Sequence, residues 1–202
     1  HDQTRRQRQM CIRDSKLGSA TVATIANEAE VNERYLLEWL SSNAGRGYVT
    51  YDEGSGEFSL SPEQAAVFAR EDEPTCIQGL IQGVVGQFVK EDIAVDVFKT
   101  GRGRPWGEHH ECCFCGTERF FRPAYAGHLL SEWIPALEGV EAKLKVGAKV
   151  ADIGCGLGTS SLLMAEQFPN STIHAYDFHG PSIEEAKRRA SEKGLTNLEF
   201  FV

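Results

Sequence analysis

The apolar positions change period several times along the chain, and each change marks an element. Val22, Ile25, Ala26 and Ala29 recur at the i, i+3, i+4, i+7 spacing of an amphipathic helix. Asn32 then serves as the N-cap of a second helix, with Val31 placed to staple onto Leu36 and with Tyr35, Leu36, Trp39 and Leu40 as its buried stripe. Tyr48 to Asp52, a Glu-Gly-Ser-Gly-Glu turn and Phe58 to Leu60 predict a hairpin. Ser61-Pro62-Glu63-Gln64 opens a third helix, with proline at the first helical position and a glutamine placed to close a capping box.

Beyond residue 76 the pattern turns densely apolar and is punctuated by glycine, from Ile77, Leu80, Ile81, Val84, Val85, Phe88 and Val89 on to Ile93, Val95, Val97 and Phe98. Helices that join two domains account for it, with core packing as their use. An irregular stretch follows, Thr100 to Cys115, and then a helix from about Tyr125 with Leu129, Leu130, Trp133 and Ile134 as its buried stripe, bent or ended by Pro135. Lys149 to Ile153 reads as a buried strand. Leu162 to Phe168 is a largely buried helix for which Thr159 is the expected N-cap, ended by Pro169-Asn170. Thr172 to Asp177 is a second strand, and Ser182-x-x-Glu185 is a capping box for the next helix. That helix carries the i,i+4 pairs Glu184–Arg188 and Glu185–Arg189, stops at Gly194, and leads into a third strand from Leu198.

The chemistry concentrates where the first of these strands ends. Asp152-Ile-Gly154-Cys-Gly156-Leu-Gly158 places glycine at every second position between a strand and a helix, the geometry that seats a nucleotide-like ligand against a helix N-terminus. A dinucleotide fingerprint needs G-x-G-x-x-G. Position 159 is threonine and position 161 serine, so neither frame supplies the third glycine. An acid two residues before the first glycine instead offers a carboxylate to a cationic group. Cys155, between two glycines, reads as a small side chain against the helix rather than as a nucleophile. Asp177 ends the second strand 19 residues after Gly158, where ribose hydroxyls need an acceptor.

Asp152, Gly154, Gly156, Gly158 and Asp177 together resemble motif I and the following acidic motif of the class I, Rossmann-like S-adenosylmethionine (SAM) methyltransferases. The resemblance covers residues 120–202 and implies an α/β fold with strands one to three of a sheet that normally has seven. It implies SAM as cofactor, with Asp152 toward the methionine amino group, the glycines allowing close backbone approach, Asp177 on the ribose hydroxyls and Phe178 near the adenine. The activity implied is methyl transfer to an oxygen, nitrogen or carbon of a small-molecule acceptor. A chain ending in strand three would leave strand one an open edge, which implies a truncated gene product that binds SAM weakly or not at all, dissolves poorly and is inactive alone.

Helix–turn–helix followed by a hairpin is the order of a winged helix, assigned to residues 16–72. Its second helix, Asn32 to Asn43, carries Glu33 and Glu38 against Arg34 alone, whereas a phosphate-facing helix should be basic. Such modules precede many small-molecule methyltransferases as packing or dimerisation units, and a homodimer through this domain is the reading taken. A ligand-sensing transcriptional regulator is the alternative. Residues 73–119 are then a helical linker with a candidate lid. Within it, His109, His110, Glu108, Glu111, Cys112, Cys113 and Cys115 invite a metal, but the soft ligands fall within seven residues and adjacent cysteines point apart, so no metal site is assigned. His109 or His110 is the candidate general base.

Composition narrows these readings little further. The chain of 202 residues is 41% hydrophobic and 25% charged, with a net charge of −8, which disfavours a general nucleic-acid binder. Six cysteines without disulfide-scaffold spacing and the lack of a membrane-length apolar run suit the cytoplasm. His1 to Ser15 is a polar run with four arginines and two aspartates that resembles translated sequencing-adapter sequence, and it stays outside the fold reasoning.

Overall fold

The computed structural model describes residues 18–202. The chain divides into two compact units, one ending at Gln78 and the other running from Gly79 to Val202. The adapter-like run His1 to Ser15 lies outside the described residues.

The first unit runs β1 (Ser19–Thr21), α1 (Val22–Ala29), α2 (Glu33–Ala44), β2 (Thr50–Asp52), β3 (Glu57–Ser59) and α3 (Pro62–Phe68). Its caps are those the residues call for. Asn32 accepts from the Tyr35 N–H to start α2, and Ser61 and Gln64 exchange the reciprocal bonds of a capping box at α3. The hairpin pairs Tyr51 with Phe58, and Asp52 closes its turn by accepting the N–H and the hydroxyl of Ser55. β3 also pairs with β1, which makes a three-stranded antiparallel sheet. Three residues are too few to show a period, so β1 escapes a pattern reading. The core joins Ala20, Ile25, Ala26, Leu36, Leu40 and Phe58, with Val31 packed against it. The α2 stripe is narrower than expected. Leu36 and Leu40 are buried, but Tyr35 is 78% and Trp39 42% exposed, because a helix laid on so small a sheet needs only the i,i+4 pair.

The second unit begins with α4 (Gln78–Val89) and α5 (Glu91–Thr100), then α6 (Glu111–Ala124), which continues as a π-helix over Tyr125–Trp133, and α7 (Val140–Val146). A doubly crossed sheet follows: β4 (Lys149–Ile153), α8 (Thr159–Gln167), β5 (Thr172–Tyr176), α9 (Gly180–Glu192) and β6 (Leu198–Phe201). The three strands are parallel in the order β4-β5-β6, with Asp152 opposite Ala175 and Ile153 opposite Tyr176. Ile173, Ala175, Ile183 and Ala186 are fully buried between sheet and helices. A second cluster, Ile134, Leu144 and Phe168, gathers Leu129, Leu130 and Val150 and fixes the π-helix against this layer. Trp133, expected in that stripe, is 43% exposed, since the wider π turn rotates it away.

Several local expectations give way to tertiary contacts. The irregular stretch ends at His110, whose Nδ1 accepts from the Cys112 N–H and caps α6, so the three cysteines ride on a helix. α8 is capped by Gly158 in the left-handed region, not by Thr159. α9 starts at Gly180 behind His179, and Ser182 lies inside it, buried, with its hydroxyl on His179 Nδ1. Of the expected pairs on α9, Glu185–Arg189 forms at 2.8 Å, whereas Glu184 takes Lys187 and Arg188 takes Glu185 and Glu192. Glu185 is thereby held down at about 2, chiefly by Arg188.

α4 does not bury its large side chains. A Cβ on Gly79 would stand 2.3 Å from the Phe120 N and one on Gly86 2.6 Å from Cys113 Sγ, so α4 meets α6 through its glycine face. Leu80, Ile81, Val84, Val85 and Phe88 are left about half exposed or more. Among the described residues, no helix is long and apolar enough to cross a membrane.

The narrowed α2 stripe makes a direct prediction. Leu40→Ala should cost about 2–5 kcal/mol in a denaturant titration, whereas Tyr35→Ala, with an exposed side chain, should stay within about 0.5 kcal/mol.

Candidate cofactor site

The site forms at the C-terminal ends of β4 and β5, where the parallel register brings two turns side by side. The first turn holds Gly154, Gly156 and Gly158, with φ of 79°, 55° and 78°, all in the region that favours glycine. It is anchored to the second strand by the N–H groups of Gly154 and Cys155, which both donate to the Tyr176 carbonyl at 2.8 and 3.0 Å. Gly158 carries a further constraint. A Cβ there would stand 3.0 Å from Ala186 and from the Phe200 ring, so this turn rests directly on α9 and β6.

Asp177 joins the two turns. Its Oδ2 accepts from the Gly156 N–H at 2.9 Å and its Oδ1 from the His179 N–H at 2.8 Å. A carboxylate offers about four acceptor positions, which leaves capacity for an added donor. Asp152, at the end of β4, takes two side-chain donors on one oxygen: Ser160 Oγ at 2.7 Å and Ser161 Oγ at 2.6 Å. The carboxylate therefore faces the first turn of α8, where the helix N-terminus favours negative charge. Phe178 follows Asp177 and is 71% exposed, a free aromatic face at the rim. Cys155 is buried, and burial pushes its thiol up to about 12, so it stays protonated and unreactive near neutral pH.

The two histidines separate. His110 is engaged as a helix cap. His109 packs against Trp106, with ring centroids 5.3 Å apart, and Trp106 in turn meets Phe114, which lies 4.5 Å from His179. That aromatic chain connects His109 to the turn that holds Asp177. Burial, and then the Arg104 guanidinium, push His109 below its ordinary value, so its imidazole is neutral at pH 7. The cysteines of α6 form no cluster with these groups, and among the described residues no three His, Cys, Asp or Glu side chains gather as metal ligands.

Four neighbours of the site had no signal in the sequence. Ser160 and Ser161 reach Asp152 only because α8 doubles back beside β4. Glu118 reaches Thr159 Oγ1 across 41 residues at 3.1 Å, and His179 shares a turn with Asp177 that only the fold reveals.

Residues 144–202 match the family model described as a methyltransferase domain, and residues 11–70 match that of the Rv2258c-like winged HTH domain. The early part of the chain is thus similar to a winged HTH domain and its last part to a methyltransferase domain. Over 57 residues the chain is 39% identical to aklanonic acid methyltransferase DauC of Streptomyces sp. strain C5, a stretch that takes in 28% of this chain and 26% of that protein. The fold is similar to that of solved O-methyltransferases. An O-methyltransferase family protein of Burkholderia thailandensis matches at a TM-score of 0.59 and 15% identity over 99% of this chain and 60% of its own. NcsB1, an O-methyltransferase from neocarzinostatin biosynthesis solved with SAM and 2-hydroxy-5-methyl naphthoic acid, matches at a TM-score of 0.58 and 21% identity over 99% of this chain and 64% of its own. The chain thus spans somewhat under two thirds of the length of those two structures. The region matched by the methyltransferase-domain model, residues 144–202, contains both turns of the site.

The close seat of Gly158 can be tested against its neighbours. Gly158→Ala should lower stability by about 2–4 kcal/mol, combining left-handed strain with overpacking against Ala186 and Phe200. Gly156→Ala meets open space and should cost only the backbone share, about 1–2 kcal/mol. Thermal denaturation of both variants reads the difference.

Proposed function

We propose that the turns at Gly154–Gly158 and Asp177 bind S-adenosylmethionine and that the protein transfers its methyl group to a small-molecule hydroxyl. One observation carries the reading: two carboxylates stand at the ends of adjacent parallel strands, on either side of a glycine turn and a helix N-terminus. Asp152 suits the cationic amino end of the cofactor, and Asp177 the ribose hydroxyls. The glycines let the chain pass close to the ligand, and the exposed Phe178 ring offers a face to the adenine. The co-crystallised ligands of NcsB1 support the same pairing of cofactor and small aromatic acceptor.

Bound S-adenosylmethionine would supply the methyl group, leaving S-adenosylhomocysteine (SAH), and Asp152, the glycine turn and Asp177 would hold it in line with the acceptor oxygen. The hydroxyl proton goes to a base. His109, neutral and tied by aromatic contacts to the Asp177 turn, is the residue we assign to that role. Rate is gained mostly by alignment of donor and acceptor. The winged helix we assign to contact between copies of the chain rather than to DNA, since Arg34 of α2 already pairs with Glu38 at 3.8 Å.

Asp177→Ala should weaken SAH binding by about ten- to a hundredfold, the loss of charge-assisted hydrogen bonds, and Asp152→Ala should weaken SAM binding by a similar factor. An NMR titration reads weak as well as tight constants, and unchanged constants in both variants would sink the cofactor reading. A gel shift with genomic DNA at physiological salt should show no complex; a retained complex would instead favour the regulator.

A further inference from the structure

Phe114 and Glu118 lie four residues apart on α6, so their side chains leave the same face one turn from each other. Each meets a different turn of the site. The Phe114 ring lies 4.5 Å from that of His179, which donates its N–H to Asp177 and precedes α9. Glu118 Oε1 accepts from the hydroxyl of Thr159, the first residue of α8 after Gly158. One face of one helix therefore touches both halves of the cradle.

The environment of Glu118 is that of a built contact. Its side chain is only 8% exposed, and its charge is met by Arg189 of α9 at 3.2 Å and Arg122 at 3.6 Å. Arg189 also binds Glu185 at 2.8 Å, which holds the guanidinium in place. A buried carboxylate is costly unless it is compensated in this way, and one whose remaining acceptor capacity goes to a hydroxyl at the mouth of a site restrains that hydroxyl's backbone. Within the cradle, the turns are linked by the Tyr176 carbonyl and by Asp177. α6 adds a tie from outside.

We propose that Phe114 and Glu118 are positioning residues: together they set the spacing between the glycine turn and the Asp177 turn that the cofactor must span. The proposal rests on the SAM reading above. Neither residue touches the reacting atoms; each acts through Thr159 or His179.

Hydrogen exchange on the full chain, read by mass spectrometry without ligand, tests the tie directly. Thr159→Val removes the hydroxyl and keeps the shape, Thr159→Ser restores it, and Phe114→Leu removes the ring. Thr159→Val should raise exchange over residues 154–161 about tenfold, and Phe114→Leu that over 177–182, with β5 and β6 unchanged. Thr159→Ser should match the parent chain. Glu118→Gln, close in shape, should loosen residues 154–161 by a smaller factor because the guanidiniums no longer hold it. Unchanged exchange at both turns, or a uniform rise across the sheet, would overturn the proposal, the latter by showing a purely structural role. SAH titration separates the two ideas. Thr159→Val and Phe114→Leu should each weaken binding about five- to tenfold; a parent chain that does not bind SAH defeats the cofactor reading, while the exchange rates still decide the tie.

Discussion

The Asp177 carboxylate is the constraint on which the site depends. Its two oxygens take backbone N–H groups from two different turns, Gly156 on one side and His179 on the other. Hydrogen bonds to a charged acceptor are worth about 1.5–3 kcal/mol net, more than neutral ones. Here they also close a geometric problem. Parallel strands end at the same edge of the sheet, and the turns that leave them toward α8 and α9 are tied by the Tyr176 carbonyl and, further out, by Asp177. The β4–β5 register, Ile153 opposite Tyr176, places Asp177 one residue past the last pair, level with the glycine turn. The carboxylate then spans the gap that the register leaves.

Much of this arrangement can be read in the chain because it is local. Strand, glycine turn and helix follow one another without interruption, and φ values of 55–79° at three alternating glycines are what that spacing asks for. The caps at Asn32 and Ser61 are equally local, each resolved within three residues. The failures have two causes. Thr159 has the right chemistry for an N-cap, but Gly158 adopts the cap and frees the hydroxyl for Glu118, 41 residues away. Ser182 has the right spacing for a capping box, but α9 begins earlier because His179 is already fixed by Asp177. At Thr159 a tertiary hydrogen bond displaced a local one, which no short window contains; at Ser182 a competing local turn, Asp177 to His179, displaced the expected cap.

Hydrophobic periodicity failed for a different reason. In α4 the largest apolar side chains were expected inside, yet Gly79 and Gly86 hold the inner face, because backbone-to-backbone approach to α6 leaves no room for a Cβ. A small-residue seam excludes large neighbours from the contact, and so Phe88 turns outward at 72% exposure. Tyr35 and Trp39 of α2 show the same limit on a smaller scale. Period identifies a helix, but the area of the surface it meets decides how wide its buried stripe can be.

The two acids of the site are built for different duties. Asp177 is held by backbone donors, which cannot rotate away, so its position is part of the architecture. Asp152 is held by the hydroxyls of Ser160 and Ser161, whose protons can swing to other acceptors. A cationic group arriving at Asp152 can therefore draw the carboxylate's charge without breaking the fold, whereas a ligand at Asp177 must share a carboxylate that already holds the cradle closed. On the proposed reading, binding at the second acid would add donors to a fixed acceptor, and binding at the first would exchange mobile donors for a charge. The fixed acid would then set where the cofactor lies, and the adjustable one would answer its charge.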